Sequence, residues 1–142
     1  MSRRFIAATA LSLLICLPAT VQAGPARGVQ VEVDFLLGFV EESGCEFYRN
    51  GTWHTPAAAR THLREKFDFL AARGMIGTTE DFIEKAASKS SLSGKPYQVK
   101  CKGGAAMNSG PWLRGELDRF RAFNKKPAAS LMTPRPAVPG TP

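Results

Sequence analysis

Two cysteines and two histidines mark where this sequence could do chemistry. Eight residues separate Cys45 from His54, seven separate His54 from His62, and thirty-eight separate His62 from Cys101. Cys45 with either histidine would make a nucleophile and its base, and the four side chains together would make a Cys2His2 zinc set. Structural zinc sites bring their ligands in closely spaced pairs, which these intervals do not supply. A catalytic thiol needs a polarising neighbourhood and a third, orienting group, and the sequence marks neither. With Cys16 assigned to an N-terminal export segment, Cys45 and Cys101 remain, each at the edge of a predicted strand. In a compartment where disulfides persist, a bond between them is the favoured reading. Closing that long loop would stabilise the fold by about 4 kcal/mol in the chain-entropy account.

The second constellation is Ser88-Lys89-Ser90-Ser91-Leu92-Ser93-Gly94-Lys95-Pro96-Tyr97. Gly94-Lys95 has one feature of a phosphate loop, but Pro96 stands where Ser or Thr must follow the lysine, and the first glycine is absent. No serine lies three residues before a lysine, which removes a Ser-x-x-Lys dyad. The hydroxyls are expected to hold the turn by local hydrogen bonds. Loops carry function more often than the elements they join, so Ser90, Ser91, Ser93, Lys95 and Tyr97 form a candidate binding surface. His54 is expected as a partly buried packing residue and His62 as an exposed one. Glu41-Glu42 and Glu80-Asp81 read as solvated helix ends, not as a carboxylate pair for acid-base work. No metal site and no cofactor are expected.

These side chains need elements to hold them. Phe35, Leu36, Phe39 and Val40 fall at helical spacing and predict a helix over 31–42 ended by Gly44, although Val29 to Phe35 also alternates at period two. Asn50-Gly51 between aromatic-rich runs predicts a hairpin with a type I′ turn. Its register sets Arg49 opposite Thr52, Tyr48 opposite Trp53 and Phe47 opposite His54. Tyr48 and Trp53 then form a cross-strand pair worth about 0.2–1 kcal/mol, while Cys45, Phe47, Arg49, Thr52 and His54 share the other face. Asn50-Gly51-Thr52 matches a glycosylation sequon, but the turn accounts for it without sugar.

Thr55-Pro56 opens a second helix with Thr as N-cap and Pro in its first position. Ala59, Leu63, Phe67 and Leu70 line one face, and Gly74 stops it. A third helix begins at Thr78, with Asp81 three residues on to favour its N-terminus, and carries Phe82, Ile83, Ala86 and Ala87. Tyr97, Val99 and Cys101 alternate as a half-buried strand, and a last helix starts near Ser109 and presents Trp112, Leu113, Leu117 and Phe120. The fold class is α+β: a small single domain of about four helices with a β-hairpin and a third strand, and one disulfide.

The ends of the chain set the compartment. Residues 1–23 place Arg3 and Arg4 before an apolar run to Leu17 and close on Val21-Gln22-Ala23, the pattern of a signal peptide cleaved after Ala23. Spanning a bilayer takes about 20 apolar residues, and this run is interrupted by Thr9 and Ser12 and stopped by Pro18. The tail, 124–142, has five prolines and no aromatics, so it reads as extended and disordered. The net charge of +7 belongs mostly to these ends: without Arg3, Arg4, Lys125, Lys126 and Arg135, 14 basic groups face 12 acidic ones. A domain over 24–123 so close to balance has no footprint for nucleic acid.

Several motifs together resemble one family. Ser43-Gly44-Cys45-x-Phe47-x-Arg49-Asn50-Gly51, Ala59-x-x-His62-Leu63-x-x-Lys66, Phe82-Ile83, Ser90-Ser91-x-Ser93-Gly94-x-Pro96-Tyr97 and Trp112-Leu113 are similar to the small YfeK-like family of exported bacterial proteins, over roughly residues 32–121. That family has no known function. The resemblance implies a bacterial periplasm and adds His62 and Lys66 to the candidate surface, as motif positions that packing does not obviously require. The leading expectation is a periplasmic, non-enzymatic binding or interaction module with a protein partner in the cell envelope. The alternatives are an inhibitor of a cell-wall lytic enzyme, from the likeness of Ser-x-Ser-Gly-Lys-x-Tyr to the loop of C-type lysozyme inhibitors, and a thiol- or metal-dependent hydrolase.

Overall fold

A computed structural model describes residues 24–125; the signal peptide assigned to 1–23, and the tail from 126 on, lie outside the described residues. Helix α1, Arg27–Glu42, begins four residues earlier than predicted and includes the ambiguous stretch. The helical period wins because Val33, Leu36, Leu37 and Val40 all become buried on one stripe. Strands β1, Glu46–Arg49, and β2, Thr52–His54, form the hairpin in the expected register. Asn50 and Gly51 both take positive φ, 49° and 92°, as a type I′ turn demands. The rings of Tyr48 and Trp53 lie 5.2 Å apart across it.

Helix α2, Pro56–Ala71, starts on the Thr55 side chain, which accepts from the Ala58 N–H, and buries Ala59, Leu63, Phe67 and Leu70. Helix α3, Thr79–Asp81, opens with a full capping box between Thr78 and Asp81. It runs directly into a π-helical segment over Phe82–Ala87 that buries Phe82, Ile83, Ala86 and Ala87. Those four positions were legible, but the widened turn was not. Its end is held by the Ser88 hydroxyl, which donates to the Ile83 carbonyl at 2.7 Å.

Strand β3, Gln98–Lys100, pairs antiparallel with β1, and β4, Met107–Asn108, pairs antiparallel with β3. The sheet order is β2-β1-β3-β4, one strand more than expected. Two exposed residues carry no alternation to read, so β4 left no signal in the sequence. The β1–β3 register sets Glu46 opposite Lys100, so the next residues outward, Cys45 and Cys101, face each other and are joined by a disulfide with an S–S distance of 1.98 Å.

Helix α4, Ser109–Lys125, extends two residues past the boundary drawn at 123 and lays Leu113 and Leu117 into the core. Aromatic pairs fasten it to the rest: Phe120 stacks on Phe35 of α1 at 4.1 Å, and Trp112 meets Phe39 at 4.6 Å and Phe47 of β1 at 5.7 Å. Glu80 is not merely a solvated helix end. The Arg121 guanidinium bonds both oxygens of Glu32, each at 2.7 Å, and reaches Glu80 at 2.5 Å, tying α4 to α1 and α3. Thr79 donates its hydroxyl to the same Glu32 carboxylate.

Candidate functional site

Three elements meet where the hairpin tip leans over the middle of α2 and the serine-rich loop returns toward β3. The loop is built as a self-contained turn. The Ser90 N–H donates to the Lys95 carbonyl at 3.0 Å and the Gly94 N–H to the Ser90 carbonyl at 2.9 Å. The Ser90 hydroxyl, 4% exposed, accepts from the N–H groups of Leu92 and Ser93. Ser93 accepts from the Lys95 N–H and donates to Asn50 Oδ1 at 3.0 Å, joining the loop to the hairpin turn. The expectation that these hydroxyls are structural holds for Ser90 and Ser93.

His62 is the largest departure from expectation. One residue before Leu63 on an Ala-rich helix, it was expected in solvent. Instead it is half-buried under the hairpin, and a ring nitrogen meets a partner on each side. Nδ1 lies 2.7 Å from Nη1 of Arg49 on β1, and Nε2 lies 3.1 Å from the Tyr97 hydroxyl just before β3. An arginine can only donate, so Nδ1 accepts. The neutral ring then carries its proton on Nε2 and donates it to Tyr97. The relay is thus oriented, from Arg49 through His62 to Tyr97, and the Tyr97 hydroxyl proton is left free to point onward. Burial, with the Arg49 and Lys66 charges added, holds the His62 pKa down at about 4. Burial likewise raises that of Tyr97.

Lys66, one helical turn after His62, donates to the Lys89 carbonyl at 2.7 Å and sits 5.2 Å from the centre of the Tyr97 ring. Burial, then the charges of Arg49 and Lys89, lowers its pKa to about 8. Arg49, Asn50, His62, Glu65, Lys66, Ser90, Ser91, Leu92 and Tyr97 border an open groove of about 320 Å³. Below it lies a small apolar hollow of about 30 Å³, which shares Arg49, His62 and Tyr97 and is floored by Ala59, Leu63 and Leu113. His54 lines that hollow, in keeping with a packing role.

Of the candidate surface, the structure brings His62, Lys66, Tyr97, Ser90 and Ser91 to one groove. Ser93 turns to Asn50 instead, and Lys95 is exposed and away from the groove lining. Arg49 is the residue the sequence reading missed. Its signal was present in the hairpin register, which placed it on the inward face beside Phe47, but nothing local said which helix that face would meet. Among the described residues no group of three or more His, Cys, Asp or Glu side chains is gathered closely enough to hold a metal ion. No helix among them is long and apolar enough to cross a membrane.

Residues 27–121 match a family of unknown function, DUF5329. The chain is also similar to the uncharacterised protein YfeK of Salmonella typhimurium strain LT2, with 35% identity over 92 residues, which is 65% of this chain and 74% of that protein. No solved structure matches it.

Proposed function

The chain belongs to the DUF5329 family of unknown function, and on that premise we propose that it is a non-enzymatic binding module of the bacterial cell envelope, exported to the periplasm by cleavage after Ala23. The observation that carries the reading is the convergence of Arg49, His62, Lys66 and Tyr97, from a hairpin, a helix and the segment leading into β3, on one open groove. The disulfide supports an oxidising compartment and engages Cys45, the sulfur a thiol hydrolase would require.

Crosslinking tests this directly. A photoreactive side chain at Ser91, at the groove, is expected to capture a partner in the intact envelope, whereas one at Lys102, at the other end of the sheet, is not. Equal capture at both positions, or none at Ser91, overturns the reading. The mass of the protein recovered from the periplasm tests the cleavage site, and free-thiol titration with zinc analysis of the same sample tests the hydrolase alternative.

Inhibition of a cell-wall lytic enzyme is the second reading. One specific observation favours it: Leu92, at the loop, is 96% exposed and offers an apolar tip for insertion. Lysozyme inhibition that disappears in L92D would put this reading first.

A further inference from the structure

The groove's own hydrogen-bonding groups say what class of ligand it takes. Arg49 has five N–H groups and Lys66 three; one of each is engaged, on His62 Nδ1 and on the Lys89 carbonyl. Tyr97 receives the His62 proton and so presents its own. These groups face the groove as donors. Glu65, on the groove wall, is the one carboxylate in the lining; it is exposed and makes no ion pair with Arg49 or Lys66.

Six of the fifteen lysines and arginines among the described residues make ion pairs. Arg60, Arg64, Lys85, Lys100, Arg119 and Arg121 each reach a carboxylate within 4.0 Å. Arg49 and Lys66, the two cations held together in the groove, do not pair with any carboxylate among the described residues. Placing like charges side by side, half out of water, costs stability, and an anion seated between them would remove that cost.

We propose that the groove is an oxyanion site, taking the carboxylate or phosphate group of a ligand between Arg49 and Lys66 with the Tyr97 hydroxyl as third donor. The assignment rests on the groove reading above and names its ligand class.

The test is an NMR titration of the oxidised, processed protein with sodium acetate and, separately, inorganic phosphate, against sodium chloride at matched ionic strength. Saturable shifts at Arg49, His62, Lys66 and Tyr97 with acetate or phosphate, not with chloride, are expected, and the anion that saturates at lower concentration identifies the headgroup. R49Q and K66Q are each expected to weaken that binding tenfold or more; K66Q keeps the test decisive if R49Q fails to fold. Shifts no different from chloride, or saturation unchanged in both variants, overturn the proposal. Crosslinking at Ser91 without anion saturation overturns the ligand class alone, leaving the groove in place.

Discussion

His62 concentrates the account at the scale of a single side chain. Its ring is neutral because burial and two nearby cations make the charged form costly, and it takes up a proton only near pH 4 in the fold, against about 6.5 when unfolded. Between those values the unfolded chain binds more protons, so stability falls as pH drops from 6.5 toward 4. The groups facing the ring are Arg49, Lys66, His54 and Tyr97, and the three basic ones all act in that direction. Urea unfolding at pH 7 and pH 5 is expected to show the loss, and H62Q, which keeps an acceptor and a donor but cannot charge, to flatten it. An equal slope in H62Q would place its cause elsewhere. Burial alone did not make His62 legible, since its neighbours in sequence mark an exposed helical position. What covers it is Arg49, thirteen residues upstream on another element.

At the scale of elements, two junctions determine how the helices are set. The first is the meeting of α4 with the π-helical segment. Ser109 donates its hydroxyl to the Ala87 carbonyl at 2.5 Å, and a Cβ on Gly110 would fall 2.4 Å from Ser88 Oγ. G110A is therefore expected to lose about 1–3 kcal/mol by overpacking, and adding S88A to recover part of it; a strictly additive double variant would contradict the contact. The second is the Arg121 fork. Hydrogen bonds from Arg121 hold the Glu32 and Glu80 carboxyls below their usual range. Their contribution is present above about pH 4.5, the ordinary value, and is lost as pH falls through the lowered ones. R121Q should remove this acid slope while leaving the one that belongs to His62, as acid titration of the two variants would show. Local signals announced much of this level: Asn-Gly set the hairpin register, Thr55-Pro56 the start of α2, and Thr78 with Asp81 the capping box. The π-turn, β4 and the Arg121 fork depend on partners far along the chain, which no window of sequence contains.

For the whole molecule, the disulfide and the placement of charge matter most. Cys45 and Cys101 extend the β1–β3 pairing beyond its last backbone partners and close a separation of 56 residues. Reduction is expected to lower stability by about 4 kcal/mol, a large part of the roughly 5–15 kcal/mol typical of such domains; chemical unfolding with and without reductant measures it, and an unchanged midpoint would show that the bond does not hold the fold. That pairing was readable because so few cysteines remain to choose from. The near-balanced charge of the domain was readable too, but not its arrangement, in which Arg49 and Lys66, neither paired with a carboxylate among the described residues, are brought to one groove.

The Tyr97 donor in the groove depends on one proton's position, and nitrogen-15 spectra of the His62 ring report it. With Arg49 donating to Nδ1, the ring should show a protonated Nε2 and a bare Nδ1, staying neutral as pH is lowered until it charges near pH 4. A proton on Nδ1 at neutral pH, or charging near the ordinary 6.5, would contradict the relay and the oxyanion site built on it.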